Sequence, residues 1–196
     1  MIAFLKGRLV HKDPAHVVID VQGVGYQVAI SLQTYSEIKD QEQINLHTHL
    51  QIREDAHVLF GFSRESEKKL FQQLISVSGV GPSTAIVMLS YMSSNELKTA
   101  IVREDAATLQ AIKGIGGKTA QRVIIELKDK LKKESWEESS MISAGPHNTL
   151  RSEALGALLT LGLPKATAEK SVDAILKKSG NTITLEDLVK QALKNS

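Results

Sequence analysis

Two short glycine-containing segments carry the residues of this sequence best suited to binding a phosphate group. Residues 74–85 read LISVSGVGPSTA and residues 109–120 read LQAIKGIGGKTA, so the two segments align at an offset of 35. A leucine, two glycines, a threonine and an alanine occupy identical positions in both, and the pairs Val77/Ile112 and Val80/Ile115 are conservative. Self-similarity at a fixed offset predicts two copies of one supersecondary unit.

Each copy has the composition of a tight turn between two helices. Glycine tolerates positive φ and lets another backbone approach closely, and the hydrophobic residue between the glycines can anchor the turn. The turn opens onto a helix N-terminus, where unpaired N–H groups and the helix dipole attract a phosphate. Pro82 suits the first helical turn, and Lys118 can add a charge-assisted contact. Such a site contacts the nucleic-acid backbone rather than the bases, so we expect sequence-independent, salt-sensitive binding.

The alternative is that both segments are ordinary helix–helix turns with glycine caps. The charge distribution argues against it, because residues 63–133 carry 12 Lys/Arg and 7 Asp/Glu whereas residues 1–62 carry 5 and 7. Residues 134–148 carry 3 acidic and no basic residues, and residues 149–196 carry 7 basic and 5 acidic ones. The formal net charge of +2 therefore hides a basic middle region that contains both turns, where a polyanion would bind.

Composition excludes several classes of protein. The chain has 196 residues, of which 23% are charged and 42% hydrophobic, as in a soluble globular protein. It contains no Cys, which excludes disulfides and thiol nucleophiles and fits a cytoplasmic location. Apolar runs are too short to span a membrane, and the N-terminus does not have the pattern of a signal peptide. No GxxxxGK[ST] motif is present, so we expect any ATP hydrolysis to belong to a partner, and we predict no cofactor.

The elements around the turns change character along the chain. Alternating apolar residues predict about five short strands over residues 1–62, and closure into a barrel leaves few open strand edges. Helical spacing then takes over at Leu70, Phe71, Leu74 and Ile75.

Capping signals define the helices that follow. Ser93 with Glu96 predicts a capping box, Asp105 can cap the next helix, and a long helix is expected over 118–133. Residues 134–148 are rich in Ser and Glu and predict a flexible linker.

The last 48 residues predict a small three-helix bundle. The first helix, over about 150–161, is expected to end at Gly162, the second to run from Pro164 to Gly180, and Thr184 to cap the third. The predicted fold class is thus α+β and multi-domain, with a barrel (1–62), a helical domain (63–133), a linker (134–148) and a bundle (149–196).

The doubled turns resemble helix-hairpin-helix motifs, and the order of the four segments is similar to that of the RuvA family, the Holliday-junction-binding subunits of the bacterial RuvAB complex. The strings that carry the resemblance are VQGVGYQV (21–28), REDAHVLFGF (53–62), SGVGP (78–82) and KGIGGKTAQRVIIELKDK (113–130). The resemblance covers the whole chain.

The resemblance implies an OB-type barrel, a tandem helix-hairpin-helix domain and a C-terminal domain that docks onto the hexameric ATPase RuvB through Leu158 and Leu161. It also implies a homotetramer or octamer around an open four-way junction, RuvC resolvase as a further partner, and no catalytic or metal-binding residue of its own. The predicted DNA-binding residues are Gly79, Val80, Gly81, Ser83, Thr84, Gly114, Ile115, Gly116, Lys118, Thr119 and Arg122.

Two adjacent carboxylates, Glu54 and Asp55, correspond to an acidic pin in the family. From the residues alone the pair is better interpreted as an ordinary polar turn. If four subunits surround a junction, eight carboxylates would lie at its centre, repel phosphates and keep the duplex arms apart.

The sequence departs from the family at two positions. Ser83 and Gly117 stand where the family often has Lys, which removes charge from each hairpin. Ser83 and Thr84 can still donate hydrogen bonds, so we expect phosphate binding to persist with a shallower dependence on salt.

Other chemically able residues have simpler interpretations. His47 and His49 share a strand face, but no fixed set of ligands closes around them to make a metal site. Tyr26 could stack on a base, although its alternation with Val28 and Ile30 favours core packing.

Three rival functions remain open from the sequence. One is a generic duplex-binding module, which would show no preference for four-way DNA. A glycosylase or lyase needs a nucleophilic Lys or an activating Asp in a pocket beyond the hairpin, and no such group converges there. A metal-dependent nuclease built on Glu54 and Asp55 would have too few ligands.

Overall fold

A computed structural model describes residues 1–143, 146–179 and 183–194 of the chain. The chain forms two compact units, Met1–Lys132 and Lys133–Ser196. The strands are β1 (Phe4–Lys12), β2 (His16–Val21), β3 (Val24–Ile30), β4 (Gln43–Ile52) and β5 (His57–Phe62). The helices are α1 (Leu32–Ile38), α2 (Glu65–Ser76), α3 (Pro82–Tyr91), α4 (Ser94–Val102), α5 (Ala106–Gln110), α6 (Gly117–Ser143), α7 (Pro146–Thr160), α8 (Lys165–Ser179) and α9 (Leu185–Lys194).

The five strands close into a barrel in the order β1-β2-β3-β5-β4. Neighbouring strands are antiparallel except β3 and β5, which pair in parallel with Ala29 opposite Phe60. The predicted five-stranded barrel is therefore confirmed. Its core comes from the alternating apolar residues, which include Val17, Ile19, Val28, Ile30 and Leu46.

The helices after the barrel share a core with its last strand. Phe60 and Phe62 of β5 pack against Phe71 of α2, with ring centroids 5.2 and 4.9 Å apart. The same core continues through α3 and α4 to the start of α6. The barrel and the hairpin helices of the first unit are thus joined by continuous apolar packing, which fixes the position of the hairpins relative to the barrel.

Both predicted caps in this region are confirmed. Ser93 accepts a hydrogen bond from the N–H of Glu96, whose carboxylate in turn accepts one from the N–H of Ser93, completing a capping box for α4. Asp105 accepts a bond from the N–H of Thr108 and caps α5. These short helices set the direction in which the chain enters the second hairpin.

One predicted helix end needs correction, and one helix was not predicted. The long helix expected over 118–133 continues to Ser143, because residues 134–143 contain no Gly or Pro to end it. Helix α1 was not predicted, since its seven residues show too short a pattern. The division into barrel, hairpin domain, linker and bundle stays a prediction.

The second unit contains a bundle of α7, α8 and α9 around a small apolar core. Gly162 follows α7 with φ +91°, and the N–H of Leu163 donates to the carbonyl of Leu158, which closes the helix as predicted. Thr184 accepts a bond from the N–H of Asp187 and caps α9. The helix stop predicted at Gly180 lies outside the described residues. Arg151 of α7 binds both carboxylate oxygens of Asp173 on α8.

Candidate nucleic-acid interface

The two glycine turns have the same backbone hydrogen bonds. In the first, the N–H of Val77 donates to Leu74, that of Val80 to Val77 and that of Ala85 to Gly81, at 3.1, 3.0 and 2.9 Å. The second repeats these bonds at the residues 35 positions later, at 3.2, 3.0 and 2.9 Å. The sequence repeat is therefore a structural repeat, with one hairpin between α2 and α3 and the other between α5 and α6.

Each hairpin is fixed from below by its central hydrophobic residue. Val80 is 4% exposed and Ile115 is 5% exposed, and both belong to the core that the helices share with β5. Gly79 and Gly114 both have φ +91°, a conformation that favours glycine. The turn is thus held in one shape by burial of the middle residue and by the backbone freedom of the residue before it.

The second glycine of each turn faces open space. A Cβ placed on Gly81 or on Gly116 would meet no atom within 4 Å among the described residues. Gly81 also has an ordinary extended backbone, with φ −82° and ψ 166°. Neither packing nor backbone conformation therefore requires glycine at position 81. A side chain at position 81 would instead occupy the open space through which a ligand could approach the turn.

The backbone of the first hairpin leads directly into the N-terminus of α3. Within the part of the chain that the structure describes, no side chain caps this helix, and Pro82 occupies its first position. The N–H groups and the positive end of the helix dipole are therefore directed toward the space beside Gly81. Ser83 is exposed there and Thr84 is half-buried.

The second hairpin adds a positive charge at the matching position. Lys118 is exposed on the first turn of α6, 35 residues after Ser83. Thr119 is half-buried and reaches toward the first hairpin, with its Oγ1 3.9 Å from the position that a Cβ on Gly79 would take. The two turns therefore lie side by side, with a hydroxyl in one and an ammonium in the other.

Arg122 joins the second hairpin to the first. Its Nη1 donates to the carbonyl oxygen of Ser78 over 3.1 Å, immediately before Gly79. Arg122 is one of the predicted DNA-binding residues, but its internal contact was not predicted. The equivalent position in the first repeat is Val87, so the repeat gives no indication of such a contact. One guanidinium bond leaves further N–H groups, so the side chain can brace the turns and still face a ligand.

Further along α6, an ion pair links this helix to the segment between α4 and α5. Lys128 binds the carboxylate of Glu104, which lies between α4 and α5 and has φ +61°. The hydrogen bond from Lys128 lowers the pKa of Glu104. The pair was not predicted, since nothing in the sequence indicates that the two residues meet.

The acidic pair Glu54 and Asp55 forms the exposed tip of the β4–β5 hairpin. The N–H of Arg53 donates to the carbonyl of Ala56 over 2.9 Å and closes the turn around them. Both residues are exposed at the rim of the barrel. The turn therefore presents two negative charges on the same unit that carries the basic hairpins.

The residues with weaker functional interpretations lie in structural positions. His49 packs edge-on against Phe71, with ring centroids 5.5 Å apart, and burial lowers its pKa. Tyr26 packs against the barrel core, as expected. Within the described ranges, no group of three or more His, Cys, Asp or Glu residues could hold a metal ion.

The two residues predicted to dock onto a partner lie in different surroundings. Leu158 is completely buried in the core of the bundle, so the expectation that it forms a contact surface is corrected. Leu161 is 60% exposed and Leu159 is 43% exposed near the end of α7. The helical spacing of the ALLTLG segment could not show which leucines face inward, because both faces of α7 carry apolar residues.

Three family profiles match successive parts of the chain. The profile of the RuvA N terminal domain matches residues 1–61, that of the SAM-like Helix-hairpin-helix tandem matches 71–129, and that of the RuvA C-terminal domain matches 149–196. Among the described residues, none of the helices combines the length and the apolar character of a membrane-spanning segment.

Full-length relatives carry one name. A protein from Cytophaga hutchinsonii called Holliday junction branch migration complex subunit RuvA is 56% identical over the whole of both chains. Proteins of the same name from Christiangramia forsetii and Amoebophilus asiaticus are 49% and 47% identical, over 99% of this chain and 99% and 100% of their own.

Proposed function

The chain belongs to the RuvA family, and we propose that it binds four-way (Holliday) DNA junctions, holds them open and leaves the DNA uncut. The observation that carries the proposal is the pair of matching hairpins, whose second glycines face open space beside helix N-termini. Backbone N–H groups there suit phosphate oxygens, which every DNA sequence presents.

The hairpin residues divide the work between backbone and side chains. Gly79, Gly81 and their counterparts in the second turn let the sugar–phosphate chain approach, while Val80 and Ile115 anchor the turns. Hydrogen bonds and charge then come from the residues that begin α3 and α6, namely Ser83, Thr84, Lys118, Thr119 and Arg122. Such binding follows the duplex backbone and weakens as salt rises.

The preference for a junction over a linear duplex requires more than one copy of the chain. We assign it to a tetramer, or to two stacked tetramers, because a four-way junction presents four equivalent arms. Four copies would place eight hairpins on the arms, and eight carboxylates from Glu54 and Asp55 at the centre. Repulsion between those carboxylates and the phosphates would keep the crossing open.

Motion of the junction belongs to a partner in this proposal. The C-terminal bundle would dock onto the RuvB ATPase through the exposed residues Leu159 and Leu161.

Leu161→Asp is expected to leave junction binding unchanged and to abolish stimulation of RuvB-driven branch migration. If stimulation persists in this variant, the docking surface lies elsewhere. Cooperation with RuvC and a cytoplasmic location complete the proposal.

The experiment for the proposed function separates binding from cleavage. A labelled four-way junction is incubated with the protein and Mg²⁺, and each sample is run on a native gel and on a denaturing gel. We expect a discrete shifted complex and full-length strands. Cut strands would assign the chain to the nucleases, and the absence of a complex would overturn the proposal.

A further inference from the structure

Glu67 is a carboxylate buried where the hairpin helices meet the barrel. Only 5% of its surface is exposed, although it lies in the first turn of α2. Ser31 Oγ donates to its Oε1 over 2.6 Å, and Thr34 Oγ1 donates to its Oε2 over 2.8 Å. Burial raises the pKa of Glu67, and the two hydroxyl groups act in the opposite direction. Burying this charge is costly, and the two hydrogen bonds offset the cost.

Each hydroxyl also accepts a backbone hydrogen bond, so each one both donates to Glu67 and accepts from the main chain. The N–H of Thr34 donates to Ser31 Oγ over 3.0 Å, and the N–H of Ser63 donates to Thr34 Oγ1 over 3.3 Å. In this arrangement the single proton of each hydroxyl is directed at one carboxylate oxygen of Glu67. Glutamine has nearly the same shape but one acceptor oxygen, so it satisfies only one of the two hydroxyl groups.

The segments joined by these bonds belong to different parts of the first unit. Ser31 follows β3 and caps α1, and Ser63 follows β5, so both come directly from barrel strands that pair with each other. Glu67 lies on α2, which leads into the first hairpin. A further bond runs from the N–H of Leu32 to Ser90 Oγ on α3, the helix that leaves the same hairpin. Both helices of the first hairpin are thus tied to the barrel through α1.

We propose that Glu67 is a positioning residue that fixes the barrel relative to the hairpins and so determines the preference for four-way junctions over linear duplex. A linear duplex needs only the hairpins. A junction must meet the hairpins along its arms and the acidic turn at its centre, and that turn is carried by the barrel. The inference rests on the proposed function.

The test compares Glu67→Gln with Glu65→Gln. Glu65 is exposed on the same first turn of α2, so the control makes the same change of charge without touching the buried bonds. Dissociation constants for a four-way junction and for a linear duplex of the same sequence are measured for each variant by fluorescence anisotropy. Circular dichroism and light scattering check the fold and the oligomeric state.

The preference for junctions is the dissociation constant of the linear duplex divided by that of the four-way junction. We expect Glu67→Gln to reduce this ratio by about fivefold or more, and fivefold is the lower end of the range for coupled sites. Affinity for linear duplex should stay unchanged, and Glu65→Gln should match the parent in both. A folded Glu67→Gln protein that keeps the parental ratio would overturn the inference and limit Glu67 to stability.

A second variant covers the case in which Glu67→Gln does not fold. Thr34→Val keeps the side-chain shape and removes one of the two hydroxyl donors, so it should shift the ratio in the same direction, and an unchanged ratio would again contradict the inference. If the parent protein itself showed no junction preference, the proposed function would fail, which is a different result from a variant that retains the preference.

Discussion

At the scale of single residues, the two hairpins match in backbone but differ in charge. Ser83 and Lys118 occupy the same position in the repeat and both are exposed. A phosphate at the first hairpin would meet a hydroxyl group, whereas one at the second would meet an ammonium group. The dependence of binding on salt measures this difference, because each neutralised phosphate releases counterions.

Ser83→Lys should therefore give the first hairpin the charge that the second already has. We expect tighter junction binding at low salt and a slope of log K against log salt that is steeper by about 0.9 for each additional phosphate that a lysine neutralises. Gln191→Lys adds the same charge on an exposed position of α9 and should leave the slope nearly unchanged. Equal slopes for Ser83→Lys and the parent would show that no phosphate lies beside position 83.

The glycines of the turns should separate folding from binding. Gly81→Ala introduces a methyl group into open space on an ordinary backbone, so the free energy of unfolding should hardly change. Junction binding should weaken by about 1.5–3 kcal/mol if the methyl group removes one charge-assisted hydrogen bond.

Gly114→Ala makes the complementary change. Its Cβ would also face open space, but the backbone has φ +91°, so the free energy of unfolding should fall by roughly 1–2 kcal/mol. Urea unfolding and anisotropy titrations of both variants check the pair. Unimpaired junction binding by a folded Gly81→Ala protein would contradict the role given to the turns.

At the scale of elements, what the sequence predicted best were features with a repeated or local signal. The hairpins follow from the offset of 35, and the caps at Ser93, Asp105 and Thr184 follow from short-range hydrogen bonding. Strand alternation was sufficient to predict the barrel, because one face of each strand must be buried. These signals depend on neighbours in the chain, so a single sequence contains them.

Features that depend on distant contacts were not predicted. Three such contacts join residues that are far apart in sequence: the hydrogen bond from Arg122 to Ser78, the ion pair of Lys128 with Glu104, and the hydrogen bond from Ser31 to the buried Glu67. The burial of Leu158 depends on how α7 rotates against α8 and α9, which the apolar pattern of α7 does not define. The roles of the predicted DNA-binding residues remain predictions, because DNA binding has to be measured.

The bundle should respond to acid through one ion pair. The hydrogen bond from Arg151 holds the pKa of Asp173 below its usual value, so the pair adds stability above the pKa of an unfolded Asp, and this stability is lost as the pH falls through the lowered value. Asp173→Asn should lower the melting temperature at pH 7, and the gap from the parent should start to narrow as the pH falls below about 4 and close only below the lowered pKa of Asp173.

Thermal unfolding followed by circular dichroism at several pH values measures that gap. Glu153→Gln removes a negative charge from an exposed position of α7 and serves as the control. A gap that stays constant down to low pH would show that the ion pair is not the source of the stability.

At the scale of the whole molecule, opposite charges have separate tasks. In the proposed complex, the basic hairpins would attract the arms of the junction, and the acidic turn of the barrel would repel the phosphates at its centre. Glu54→Gln combined with Asp55→Asn should therefore leave junction binding intact or tighter, and should reduce unpairing at the crossing.

Fluorescence of 2-aminopurine placed next to the crossing reports that unpairing, while a gel shift reports binding. Both acidic residues of the turn are exposed and can be changed without disturbing the barrel core, so the variant should keep the parental fold and oligomeric state. Collapse of binding in a folded assembly would contradict the repulsive role of the acidic turn.

Recognition of the four-way shape of a junction underlies every role proposed for this chain. A competition gel shift measures it, with a labelled junction challenged by unlabelled junction or by linear duplex of the same sequence. We expect the junction to compete far more effectively than the duplex, and the difference to remain when the base sequence is changed. Equal competition by both DNAs would contradict recognition by shape and reduce the protein to a general duplex-binding module.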